Sequence, residues 1–272
     1  MGNKLIVPVV IFILFALAGC TYQSGEKTFE QSEETQQKPV ENAAEIISTA
    51  LNTTLNTEEA HKFWYSGWVA NDMQKRRVTS MFDGVVVRPH GYVVNARLAG
   101  TPYRYYKWDD NHFLYTGDTG WTRVTGEQPP LDPFLGLTWW EPFFGQAVQL
   151  PDQEVLGREC RVISIEVSGA QWLEKSSSPL FADLRKTASA APGMEELLEE
   201  SRVKMTLWTG IEDNLIYQYR TWINLPVPGA GYMDQEIYFR FYKYGDPGIE
   251  LKTPREMEQE MSVQGNAVDD TR

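Results

Sequence analysis

Leu207-Trp208-Thr209-Gly210-Ile211-Glu212-Asp213-Asn214-Leu215-Ile216 is the stretch that decides the fold. Aromatic and branched residues run up to Glu212-Asp213-Asn214, a polar cluster of the kind that closes a tight turn, and resume directly after it. The spacing predicts two long strands, Arg202–Ile211 and Leu215–Leu225. A third, Gln235–Tyr244, follows a wider loop at Pro226-Val227-Pro228-Gly229-Ala230-Gly231. Three successive strands with no helix between them form an antiparallel sheet.

Upstream, the same pattern repeats at shorter spacing. Lys62–Asn71 reads as a strand with a bend or bulge at Gly67. Arg76–Arg88 and Tyr92–Leu98 flank the compact turn Pro89-His90-Gly91. Tyr103–Trp108 and Phe113–Thr116 flank Asp109-Asp110-Asn111, and Gly117-Asp118-Thr119-Gly120 leads into Trp121–Val124. Glu154–Val167 reads as one further strand. Before the meander, Ala44, Ile47, Leu51 and Leu55 recur at helical spacing, widened by Ala43, Ile46 and Ala50. They predict an amphipathic helix that needs a sheet to bury its apolar side.

Two segments break the strand pattern. Pro129–Gln149 carries Pro129, Pro130, Pro133 and Pro142 among bulky apolar residues, which excludes a long regular helix. Short helical turns laid over an open sheet fit it, either as a plug in the core or as a lid over an apolar cavity. The candidate lid residues are Phe134, Leu137, Trp139, Trp140, Phe143 and Phe144. The second segment, Ser168–Ser201, reads as a polar insertion with a helix at Met194–Glu200. Its Glu195, Glu196, Glu199 and Glu200 describe a solvated face rather than paired catalytic acids.

The amino terminus specifies an address. Lys4, an apolar run from Leu5 to Leu17 and the small residues Ala18 and Gly19 form a secretory signal. Leu17-Ala18-Gly19-Cys20 resembles the bacterial lipobox. That resemblance implies cleavage of residues 1–19, diacylglycerol on the Cys20 sulfur and retention on the extracytoplasmic face of the cell membrane. Residues 20–42 are polar and read as a disordered tether. The formal charge of −12 argues against nucleic-acid binding and against adhesion to anionic lipid by charge alone. With Cys20 lipidated, Cys160 is left without a disulfide partner and reads as a small apolar strand residue. His61, His90 and His112 show no ligand spacing, so no metal site is expected. Residues 255–272 read as an acidic tail, frayed from residue 257 onward.

The order of helix, meander, Pro-rich apolar interruption and three closing strands resembles the LolA/LolB-like superfamily, with the LppX/LprG type of surface lipoprotein among it. Leu207–Ile216 looks like its Trp-containing strand, turn and return strand. Tyr242-Lys243-Tyr244-Gly245-Asp246-Pro247, followed by Pro254, is similar to its terminal strand and exit. The resemblance covers residues 43–254 and implies an α+β, mainly β fold. In it, an antiparallel half-barrel sheet wraps around an N-terminal helix and short lid helices. It also implies a cavity for lipid or acylated cargo, although some members of this superfamily act as envelope-stress sensors. No Gly-x-Ser-x-Gly, His-Glu-x-x-His, Cys-x-x-Cys or phosphate-loop motif occurs in the chain, and catalysis and cofactors are not expected. Two functions are carried forward. One is a lipid-anchored protein holding a lipid or other apolar ligand, and the other is a sensory or scaffolding lipoprotein that binds an envelope protein.

Overall fold

A computed structural model describes residues 42–73, 76–98, 100–116, 120–125, 133–176, 181, 184–186, 191–227 and 231–269. The signal peptide, Cys20 and the tether up to residue 41 lie outside the described residues. So do the turn residues 117–119, the prolines at 129 and 130, Ser177-Ser178-Pro179 and the loop 228–230.

After helix α1 (Ala43–Asn56) the chain forms β1 (Lys62–Met73), β2 (Arg76–Val87), β3 (Gly91–Leu98), β4 (Thr101–Trp108), β5 (Asn111–Thr116) and β6 (Gly120–Val124). Two short pieces follow, α2 (Leu135–Thr138) and a 3-10 turn (Glu141–Gln146). Then come β7 (Val148–Val155), β8 (Arg158–Ser168), α3 (Gly169–Lys175), α4 (Met194–Glu200), β9 (Arg202–Gly210), β10 (Ile216–Val227), β11 (Gly231–Tyr242) and α5 (Pro254–Asp269). All eleven strands join one antiparallel curved sheet, in the order β6-β5-β4-β3-β2-β1-β11-β10-β9-β8-β7. The α+β half-barrel expected from the sequence is therefore the architecture observed.

This order has a mechanical consequence. The two meanders meet where β1 pairs with β11, so β6 and β7 lie at opposite edges of the sheet. At about 4.8 Å per strand those edges are roughly 48 Å apart along the sheet. The connection from Val124 to Val148 must cross that width, which lays the aromatic segment over the concave face.

Alternation sets which side chains face inward. Phe63 and Tyr65 of β1 are fully buried, as is Phe241 of β11, whereas Trp64 and Trp68 are only partly covered on the opposite side. Gly67 is neither a bend nor a bulge. It pairs in register with Phe239 and Phe82, and a Cβ there would lie 2.5 Å from Phe239 Cδ1 and 2.4 Å from the Tyr238 carbonyl oxygen. Glycine is needed for close approach, leaving room for the Phe82 and Phe239 rings, whose centroids are 6.1 Å apart. The irregularities lie instead between Ile216 and Gln218 and between Leu150 and Gln153.

The single strand expected at Glu154–Val167 is a hairpin. Leu156 (φ 56°) and Gly157 (φ 76°) both adopt left-handed conformations and form a two-residue turn between β7 and β8. A leucine in that conformation costs roughly 1–2 kcal/mol, so the Leu-Gly pair carries little turn signal.

Helix α1 buries Ala43, Ile47, Ala50, Leu51 and Thr54. The Ile216 N–H donates to Thr54 Oγ1 (2.9 Å), and Arg88 Nη1 donates to the Thr54 carbonyl (2.8 Å), tying the last turn of α1 to the sheet. At the other end of the chain, the expected frayed tail contains α5. Thr253-Pro254-Arg255-Glu256 forms a capping box: Glu256 Oε2 accepts the Thr253 N–H at 2.6 Å and its hydroxyl at 2.8 Å. These two bonds hold the Glu256 carboxyl below its ordinary value. Met257 is buried with Tyr106, Phe113 and Trp121 in a separate apolar group, with Leu251 and Met261 beside it. The methionines bury apolar area at a spacing of four residues, which a frayed tail would leave in water.

Candidate ligand-binding site

The six candidate lid residues all lie in, or directly against, the main core on the concave face of the sheet. Phe134, Leu137, Trp140 and Phe143 are at most 2 % exposed, Phe144 is also buried, and Trp139 is half-buried. Phe134 belongs to one aromatic group, and Trp140 and Phe143 to a second.

The first group is centred on Phe134. Its ring stacks on Phe241 (centroids 4.2 Å apart) and meets the edge of Phe63 at 5.4 Å. The Arg88 guanidinium covers the rings of Phe134 (5.3 Å) and Phe63 (5.6 Å), an arrangement that favours cation–π attraction. Tyr219 Oη donates to the Pro133 carbonyl at 2.7 Å, which satisfies a buried backbone acceptor beside the ring.

The second group lies under the insertion. Trp140 packs on Trp172 (4.4 Å) and Phe143 (6.1 Å), Phe143 on Trp172 (5.6 Å), and Phe181 meets the Trp172 edge at 6.5 Å. Trp172 and Phe181 were not expected from the sequence, because the insertion around them reads as polar. A usable signal existed in Ser168, which caps α3 by accepting the Gln171 N–H (3.2 Å) and announces a helix carrying Trp172 and Leu173. Gly169 allows that helix to sit tightly, since a Cβ there would lie 2.0 Å from Ser201 Oγ and 2.6 Å from Leu225 Cδ2. The acidic helix α4 behaves as expected. Met194 and Leu198 are buried, and its four glutamates are exposed.

The polar fittings of this second group are incomplete. Among the described residues, Trp172 Nε1 and Ser176 Oγ are buried with no hydrogen-bond partner. Trp172 is 1 % exposed and Ser176 4 %. A buried polar atom left in this state costs about 1–3 kcal/mol.

Elsewhere the chemistry is structural. Burial, and next the Asp213 charge, push the Cys160 thiol up to about 11, so it stays protonated and inert at neutral pH. Asp213 accepts from Tyr217 Oη (2.6 Å) and the Leu215 N–H (3.0 Å), and so braces the β9–β10 turn. No group of three or more His, Cys, Asp or Glu side chains suited to a metal occurs among the described residues. One surface cleft is lined by Ser164, Glu166, Arg202, Lys204 and neighbouring residues, and another follows the β7–β8 and β9–β10 turns. None of the six aromatic-segment residues lines either cleft.

No protein-family model matches the sequence, and neither does any curated protein. Solved structures similar to the chain include LprF from Mycobacterium bovis, at 14% identity and a TM-score of 0.47, covering 79% of this chain and 98% of that one. The Mycobacterium tuberculosis lipoprotein LppX is similar at 9% identity and a TM-score of 0.45, covering 77% and 98%. A LolA superfamily protein from Nitrosomonas europaea is similar at 8% identity and a TM-score of 0.28, covering 74% and 91%. LppX and the LolA superfamily are the names to which the sequence resemblance also pointed.

Proposed function

We propose that this chain is a lipid-anchored, extracytoplasmic, non-enzymatic binding protein that holds a lipid or other apolar ligand against the concave face of its half-barrel. The Leu17-Ala18-Gly19-Cys20 motif supports diacylglycerol attachment at Cys20 and a membrane address, with residues 20–42 as the tether. The observation that carries the ligand reading is the way the concave face is closed. A four-residue helix and a six-residue 3-10 turn cross it, and Phe134, Leu137, Trp140, Phe143 and Phe144 in and around them fill the seam. Apolar contact is non-directional, so an acyl chain can replace those rings while keeping the seam dry. In the described conformation the seam is filled by the protein's own side chains, and binding requires this segment to shift.

Mass spectrometry of organic extracts from the protein, exported and purified without detergent, tests this directly. A stoichiometric apolar molecule is the expected result.

The filled seam also favours a second reading, a solid module that binds an envelope protein. Met81, Trp222 and Tyr232 are exposed and offer apolar contact area. An empty, well-folded protein that crosslinks to one envelope partner in intact cells would replace the ligand reading with this one.

A further inference from the structure

Trp172 and Ser176 stand four residues apart, at the end of α3 and its C-cap, and both are buried. Side chains at that spacing share one face of a helix. Each has an unsatisfied polar atom, and around Trp172 the walls are the rings of Trp140, Phe143 and Phe181. Both atoms can donate, and the indole can only donate. The nearby cation is already engaged. Arg185 Nη2 donates to the Ser176 carbonyl at 3.0 Å, and its Nε donates to the Leu173 carbonyl.

We propose that Trp172 Nε1 and Ser176 Oγ form the polar anchor of the ligand site, and that they take the carbonyl of an uncharged acyl ester. This rests on the apolar-ligand reading above. Two neutral donors in an aromatic enclosure match a carbonyl oxygen, which accepts two hydrogen bonds. A carboxylate would have to give up its hydration in this aromatic enclosure, and the Arg185 guanidinium directs its Nε and Nη2 to the Leu173 and Ser176 carbonyls rather than to the two donors. The acyl chain then lies along the rings of Trp140 and Phe143 and takes the place of their mutual contact.

The test is equilibrium binding to the full chain held in nanodiscs, with empty nanodiscs giving the partition background. The probes are the methyl ester of pyrenedecanoic acid, the free acid, and an alkylpyrene of equal length without a carbonyl. Loss of one hydrogen bond predicts that Ser176→Ala weakens the ester about fivefold and leaves the alkylpyrene unchanged. Trp172→Phe should behave alike, and Ser176→Ala provides the same reading if Trp172→Phe does not fold. Without probe, Ser176→Ala should melt no lower than the wild type, because its hydroxyl has no partner to lose. Unchanged ester binding in Ser176→Ala overturns the anchor, as does equal weakening of ester and alkylpyrene. Free acid bound more tightly than ester overturns the choice of an uncharged head. If the wild type binds none of the three probes, the ligand reading itself falls and the anchor falls with it.

Discussion

Phe134 and Trp172 stand at the centres of two aromatic groups on the same concave face, yet their polar surroundings differ. Around Phe134, Tyr219 holds the Pro133 carbonyl, and the Arg88 guanidinium lies over the rings while its Nη1 donates to the Thr54 carbonyl. Around Trp172 the rings of Trp140, Phe143 and Phe181 close in, but an indole N–H and a serine hydroxyl are left without partners. A core optimised only for stability would replace such atoms with apolar ones. The first group therefore reads as a fastener between the aromatic segment and the sheet, and the second as the place where a bound molecule completes the structure.

Truncation should separate the two roles most clearly. Phe134→Ala removes a ring stacked on Phe241 and set edge-on to Phe63, and should lower the unfolding free energy by about 3–5 kcal/mol, measured by chemical denaturation. Saturating acyl ester should raise wild type and variant equally and leave that difference in place. A difference that ester closes would place the ligand in the Phe134 group and reverse the comparison. Tyr219→Phe leaves the Pro133 carbonyl without its donor and should cost about 1–3 kcal/mol. The matching deletion in the second group, Ser176→Ala, should cost nothing in the free protein. Equal losses in these two hydroxyl deletions would erase the distinction.

The smallest effect lies outside both groups. Burial, with Lys107 next and Asp110 opposing, lowers the His112 imidazole from its ordinary value, and the ring pairs with Tyr105 Oη. The unfolded chain then binds this proton more readily than the folded one. Stability should fall as pH drops below about 6.5, the ordinary histidine value. Melting curves between pH 7.5 and 5 should show His112→Gln with a shallower decline than the wild type. An identical slope would mean that His112 titrates alike in both states. Phe134→Ala should show the wild-type slope, since the Arg88 guanidinium over its ring stays charged throughout this range.

Much of this fold is legible residue by residue. Glu212-Asp213-Asn214, Asp109-Asp110 and Pro89-His90 mark turns because their chemistry is local, and the strands between them follow from short-range pattern. Thr253-Pro254-Arg255-Glu256 was equally local, and this capping box was the overlooked sign of α5. Leu156-Gly157 was not legible in the same way. Asparagine or aspartate normally marks the first position of such a turn, whereas leucine adopts it only when the flanking strands hold it there. The six aromatic-segment residues could be named from the sequence, but their partners could not. Trp140 and Trp172 are far apart along the chain and meet only because the β6–β7 connection crosses the sheet.

The sequence by itself determined the strand-rich class, the turns built on polar clusters, the apolar side of α1 and the solvated side of α4. All of these depend on periodicities a few residues long. Tertiary structure decided which face of β1 turns inward, because Phe63 and Tyr65 on one side and Trp64 and Trp68 on the other are aromatic alike. It also decided that Gly67 makes room for two rings, that α5 covers Tyr106 and Phe113, and that Trp172 joins the seam with its N–H unpaired. The physical reason is common to all four. Burial and hydrogen-bond satisfaction belong to pairs of residues brought together by the sheet, and no single stretch of chain contains both members of such a pair.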